Sequence, residues 1–169
     1  MTYKIAFFDM DGTLYQTEND IIQESSIRSL QKLKEEGFVV CAATGRPLNQ
    51  MNLILNRVHF DYMVLINGGY VLDKNQELLF ENPLNKHTTE EIVEWCQKKE
   101  NGIMLHFGDS TYIYNHFYPF YYFCRDHHVL DYLFYDEQRS YHKRHNAYNA
   151  VIMTKDKKGL DDFIKEHLM

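Results

Sequence analysis

The chain has too few cysteines, and too scattered, for a disulfide framework or a zinc ribbon: Cys41, Cys96 and Cys124 are odd in number and form no Cys-x-x-Cys pair. Unpaired thiols suit a reducing cytoplasm, which is the expected location. No apolar run is long enough to span a bilayer, and the opening run Tyr3 to Phe8 lacks the basic flank and small-residue cleavage site of a signal peptide. A basic excess is also missing. The formal net charge of -6 gives no electrostatic reason to expect nucleic acid or an anionic membrane as a partner, so a small anion would need a local site. There is no internal repeat and no low-complexity linker. What remains is an ordinary globular composition, 44% hydrophobic and 25% charged, over 169 residues, enough for one buried domain or a core with a smaller second unit.

The first half alternates short apolar runs with helical periodicity, the mark of a parallel sheet covered by helices. Ile5 to Phe8 reads as the first strand. The stretch from Asp20 to Glu36 carries Ile27, Leu30 and Leu33 on one face and stops at Gly37, which predicts a helix. Phe38 to Ala43 is a second strand. Pro47 then suits the first turn of a helix running to about Arg57. Tyr62 to Ile66 makes a third strand, and the Asp73-Lys74-Asn75-Gln76 turn predicts a hairpin closing near Phe80. From Asn82 the character changes, with a helix expected after Thr88 and Thr89, strands at Ile103 to Phe107, Thr111 to Tyr114 and Ala150 to Met153, and a final helix from Leu160 to Leu168.

Ligands of an open parallel sheet bind outside the C-terminal ends of its strands. Three such ends here carry polar, glycine-containing sequences: Asp9-Met10-Asp11-Gly12-Thr13, Thr44-Gly45-Arg46 and Asn67-Gly68-Gly69. Two carboxylates held two residues apart raise one another's pKa unless a cation is present, and a divalent metal relieves this. With Mg2+ bound, one carboxylate can attack phosphorus while the other handles the proton of the leaving oxygen and then of water. Gly12 allows a sharp turn, and the Thr44 hydroxyl with the Gly45 amide offers donors to phosphoryl oxygens. A calcium loop would need further oxygen ligands and a terminal Glu at fixed offsets, and none follows Gly12.

Asp9-Met10-Asp11-Gly12-Thr13-Leu14 resembles the first signature of the haloacid dehalogenase superfamily, and Thr44-Gly45-Arg46-Pro47 its second, as found in the Cof-like branch. Asn67-Gly68-Gly69 also resembles that branch, in which an α/β cap follows the third core strand. The resemblance implies an α/β fold with a Rossmann-like parallel-sheet core, incomplete here, over residues 1–81, and an inserted α/β cap, also incomplete, over 82–169. It implies that Asp9 is the nucleophile and Asp11 the general acid/base, that Mg2+ is held by Asp9 and the Asp11 main-chain carbonyl, and that Thr44 and Gly45 bind phosphate. Arg46 and Asn67 would lie near the substrate, a small phosphorylated metabolite.

The superfamily's third signature, a lysine, and its fourth, an acidic Gly-Asp segment, normally follow the cap, and neither is found. Gly108-Asp109 lacks the acidic residues needed after it, and Lys158-Gly159 reads as part of a cap strand and helix. The chain is therefore expected to be a phosphohydrolase of reduced activity on its own, with a phosphotransferase such as a mutase and a non-catalytic phosphate-binding remnant as alternatives. His127, His128, His142 and His145 are expected on the solvated surface, and the aromatic run Tyr112 to Tyr135 in the cap core or on a contact surface. In the superfamily the first strand is central, so here one edge of Ile5 to Phe8 would be bare. Self-association through that edge, a rearrangement that covers it, or a partner chain is expected.

Overall fold

The fold is taken from a computed structural model that describes residues 4–16, 21–126 and 133–167. The chain begins with β1 (Ile5–Phe8), a two-stranded ribbon of β2 (Tyr15–Gln16) and β3 (Ile21–Ile22), and helix α1 (Glu24–Glu35). Whether the helix reaches back to Asp20, as its pattern suggests, lies outside the described residues. Its C-terminus closes as the glycine predicts. Gly37 takes φ +83°, its amide reaches the Lys34 carbonyl at 3.0 Å and the Phe38 amide reaches Leu33 at 3.0 Å, so two orphaned carbonyls are satisfied and the chain turns directly into β4 (Val39–Ala43).

The segment after Pro47 departs from the long helix expected. It is a single 3-10 turn, Leu48–Met51, followed by the one-turn helix α2 (Asn52–Leu55), with Asn49 and Gln50 buried and Asn49 Nδ2 reaching the Thr111 hydroxyl at 3.4 Å. Next come β5 (Tyr62–Leu65), β6 (Tyr70–Asp73) and β7 (Leu78–Glu81). These complete a five-stranded sheet in the order β1-β4-β5-β6-β7, parallel across the first three and antiparallel beyond, with β1 at one edge. The core under it gathers Val40, Ala42, Met63, Leu65 and Leu72 with Leu30 of α1 and Ile54 of α2.

The second unit starts with α3 (Lys86–Lys98). Its cap is Asn85, whose Oδ1 accepts from the Thr88 amide at 3.2 Å, so Thr88 and Thr89 lie inside the first turns and not before them. Then follow β8 (Gly102–His106), β9 (Thr111–Asn115), α4 (Phe117–Asp126), β10 (Leu133–Tyr135), β11 (Asn149–Met153) and α5 (Lys157–His167). The four strands form a sheet in the order β10-β9-β8-β11. Along β8 the side chains alternate: Ile103 and Leu105 pack with Ile92, Val93 and Cys96 of α3 and Phe163 of α5, while Met104 packs with Phe120 and Cys124 of α4. Lys158 and Gly159 fall in the first turn of α5. Among the described residues no helix is long and apolar enough to cross a membrane.

The aromatic run divides between both expectations. Tyr114 and Phe120 are fully buried, whereas Tyr118, Tyr122, Phe134 and Tyr135 are exposed. His142 departs from the surface role expected of it. It is buried, its amide donates to the Tyr114 hydroxyl at 2.9 Å and its Nδ1 meets the same oxygen at 3.0 Å. His145 stacks on Tyr141 at 4.0 Å, and His127 and His128 lie outside the described residues.

Candidate active site

The first glycine turn is built by the backbone of one residue. Met10 is fully buried and its carbonyl accepts from the amides of Thr13, Leu14 and Tyr15 at 3.1, 3.1 and 2.9 Å. The Gly12 amide donates to the Tyr15 carbonyl at 3.0 Å, with Gly12 at φ +76°. With Met10 anchored inward, the flanking Asp9 and Asp11 both face outward, which is what the Asp-x-Asp spacing achieves at a strand end. The Thr13 hydroxyl lies 3.4 Å from Asp9 Oδ2.

Parallel register brings the second strand end alongside, since Phe8 pairs with Ala42. Thr44 is stitched into the sheet: its amide donates to Val64 at 2.9 Å, its carbonyl accepts from Asn67 at 3.1 Å, and its Oγ1 accepts from the Arg46 amide at 3.2 Å. Having accepted, the hydroxyl keeps its proton for another acceptor. Asn67 takes a left-handed conformation, φ 55° and ψ 30°, and its Oδ1 closes on Gly45 so tightly that a Cβ there would lie 3.0 Å away. The three strand ends therefore meet, and Thr44, Gly45 and Asn67 touch.

Arg46, expected near the substrate, is held against Asp11. Its Nε donates to Asp11 Oδ2 at 3.0 Å and its Nη2 to Oδ1 at 2.6 Å, a two-pronged pair, while Nη1 donates to the Gln50 carbonyl at 3.0 Å. The guanidinium also lies 4.9 Å from the centre of the Tyr15 ring. Arg46 is 7% exposed and Asp11 47%, so the pair is anchored on the arginine side and open to solvent on the carboxylate side. Sequence reasoning placed Arg46 near the site but missed its partner, and it missed Tyr15 and Gln50 altogether. The parallel register of β1 and β4 is the signal that could have paired Arg46 with Asp11.

A sequence model of the haloacid dehalogenase-like hydrolases matches residues 6–168. The chain belongs to that family. This haloacid dehalogenase-like chain is 32% identical over 108 residues to the HMP-PP phosphatase of Escherichia coli O157:H7, an overlap of 63% of this chain and 39% of that one. Among solved structures it resembles a hypothetical protein from Geobacillus kaustophilus, with TM-score 0.84 and 22% identity over 98% of this chain and 64% of that one. It also resembles a haloacid dehalogenase-like hydrolase from Bacteroides thetaiotaomicron, with TM-score 0.76 and 19% identity over 98% and 63%. The matched stretch spans from 20% to 42% of the curated relatives' own lengths.

The donor set of the haloacid dehalogenase-like site fits Mg2+ in kind. The exposed Asp9 carboxylate and the Asp11 main-chain carbonyl are hard oxygens, and among the described residues that carbonyl accepts no hydrogen bond. No cluster of three or more His, Cys, Asp or Glu suited to a metal occurs among the described residues. Beside the strand ends, a cleft of about 390 Å³ opens between Tyr70, which follows Asn67-Gly68-Gly69, and Gly108, Asp109, Arg144, His145 and Tyr148 of the second unit. A Cβ at Gly108 would meet the Tyr70 ring at 2.7 Å, so a side chain there would displace the end of the tyrosine. Burial raises the Tyr70 hydroxyl's pKa, helped by Asp109 and Glu81, and burial together with a hydrogen bond to Glu81 raises that of Tyr148.

Proposed function

We propose that this chain, or the protein of which it is the matched part, hydrolyses a phosphate ester by transient phosphorylation of Asp9. The observation that carries this reading is the exposed Asp9 carboxylate at the end of β1, the strand paired in parallel with the one that ends at Thr44, with Asp11 two residues on. An Asp9 oxygen bonds to phosphorus as the ester oxygen leaves, and Asp11 gives that oxygen its proton. Water then attacks the phosphorus, loses a proton to Asp11, and the bond to Asp9 breaks, releasing inorganic phosphate. Thr44 and the Gly45 amide hold the non-bridging oxygens. Arg46 orients Asp11 from behind, and the exposed side of that carboxylate remains open for proton transfer. Mg2+, held by Asp9 and the Asp11 carbonyl, would offset the negative charge shared by phosphate and nucleophile.

The HMP-PP phosphatases among the relatives support a small phosphorylated metabolite as substrate. The second unit is read as a cap, and its cleft with Tyr70, Arg144 and His145 has the size and polarity to receive the leaving group. The alternative of a non-catalytic phosphate-binding protein has one observation in its favour: among the described residues no lysine or arginine meets Asp9. The test is Mg2+-dependent hydrolysis of an aryl phosphate. Asp9→Asn is expected to lower turnover by about a thousand-fold or more while circular dichroism stays unchanged. A variant keeping most of its turnover would remove Asp9 as nucleophile. Phosphate binding with no turnover in the parent chain would favour the binding protein, and transfer to an added alcohol in preference to water would favour a phosphotransferase.

A further inference from the structure

Among the described residues, six other than glycine hold a left-handed backbone: Ile66 and Asn67 beside the candidate active site, Gln76 in the β6–β7 turn, and Glu100, His116 and Arg139. The last three are far apart in sequence, yet all line one hollow of about 580 Å³, together with Gln97, Asn115 and Tyr135. It lies where β9 and β10 end, whereas the beginning of β9, at Thr111, meets Asn49 of the first unit. A positive φ of this kind strains any residue with a Cβ, and glycine alone adopts it freely. The chain uses glycine for the same task elsewhere. Helix α1 ends on Gly37, whose amide reaches Lys34 while the next amide reaches Leu33. Helix α3 ends on Glu100 with the same pair of bonds, from Glu100 to Gln97 at 3.2 Å and from Asn101 to Cys96 at 2.8 Å. Glycine would close this helix more easily, so what the strained position adds is a carboxylate.

The polar groups of this hollow are held in place and left partly unused. Asn115 Nδ2 donates to the Asn101 carbonyl at 3.1 Å, and its Oδ1 accepts from Arg139 Nε at 2.8 Å. The guanidinium is thus fixed at one corner, and among the described residues neither Nη meets an acceptor. That open end is a fork that fits a carboxylate. His116 Nε2 donates to the Glu100 carbonyl at 2.5 Å, which leaves Nδ1 of the neutral ring as an acceptor. The Glu100 carboxylate makes no hydrogen bond or ion pair among the described residues. Arg139 and Glu100 therefore share a hollow without pairing. A lone anion would gain from the arginine and be repelled by the glutamate, and a lone cation the reverse. A small molecule with both charges satisfies both. We propose that the hollow binds a free α-amino acid, with its carboxylate on Arg139 Nη1 and Nη2, its ammonium on Glu100 and His116 Nδ1, and its side chain against the half-exposed Tyr135 ring. The volume is that of a small-molecule site, and the binding is independent of the Asp9 chemistry.

The test is thermal unfolding of the full chain with each common L-α-amino acid in turn at about 10 mM, followed by calorimetric titration of the one that raises the midpoint most. At least one is expected to raise it. The N-acetyl derivative and the amide of that amino acid, which each remove one charge, should bind about 10-fold or more weakly. Glu100→Gly and Arg139→Gln should each raise the Kd by about 10-fold or more. Glu100→Gly is the sharper variant. Glycine takes φ 52° without strain and no bond of the carboxylate is lost, so the midpoint without ligand should hold or rise, and lost binding cannot then come from unfolding. Glu137→Gln, outside the hollow, should leave the Kd unchanged. The proposal is overturned if no amino acid shifts the midpoint, if acetate or methylammonium binds as well as the amino acid, or if binding survives either variant in the hollow. A Glu100→Gly chain less stable than the parent overturns it too, since the carboxylate would then be structural, as does an equal loss in Glu137→Gln.

Discussion

In the second sheet Ile103 and Leu105 of β8 face α3 and α5 while Met104 between them faces α4, so each side of the strand is closed. In the first sheet Val40 and Ala42 face α1, while Ile5, Phe7 and Tyr62 on the other side face water. The residue types are alike, and what differs is the number of helical layers. Among the described residues, the sheet that carries Asp9, Thr44 and Asn67 has helices packed on one side only. The arrangement of these strand ends rests on backbone hydrogen bonds, whereas stability rests on the apolar area each sheet buries.

The difference can be broken most forcefully in the closed sheet. Leu105 is fully buried, and Leu105→Ala should cost about 2–5 kcal/mol, read as a drop in the denaturant midpoint at unchanged slope. A loss under about 1 kcal/mol would mean that this sheet is no better packed than the other.

Acid sharpens the contrast. Burial lowers the His106 pKa from 6.5 to about 4, with Nδ1 bonded to the Thr111 hydroxyl at 3.0 Å. Between these values the unfolded chain binds a proton that the folded chain refuses. The folded state is therefore fully favoured above pH 6.5 and loses about 1.4 kcal/mol per pH unit as the pH falls toward 4. The lone tryptophan, Trp95, packs on Phe163 at 5.2 Å within this unit, so its fluorescence during thermal melts reports the loss. The same acid slope in His106→Gln would remove His106 as its source.

The smallest effect is expected on the open face. Phe7→Ala should change stability by no more than about 0.5 kcal/mol, because its ring is 60% exposed already. A loss of several kcal/mol would show that this side of the sheet is covered.

Much of this was legible in the sequence. The strands were announced by runs such as Phe38 to Ala43, and the first helix end by Gly37, because burial and chain reversal are written locally. The placing of Asp9, Thr44 and Asn67 at strand ends was legible for the same reason, since a glycine after an apolar run marks a turn at the rim of the sheet. The start of α3 was not, because Asn85, Thr88 and Thr89 are all good capping residues and only tertiary position selects Asn85. The Arg46–Asp11 pair spans 35 positions and depends on strand register, which no local pattern contains. The burial of His142 likewise follows from the Tyr114 hydroxyl, 28 positions away.

The close approach of Asn67 to Gly45 ties two distant positions into one unit of inheritance. A methyl group at 45 would sit 3.0 Å from the Asn67 amide oxygen, while Asn67 itself holds a φ of 55° that glycine tolerates freely. Alanine at 45 is therefore a different substitution depending on what stands at 67: crowded against asparagine, unopposed beside glycine. The two sites are epistatic, and a lineage that reaches alanine at 45 has an easier route if position 67 changes first.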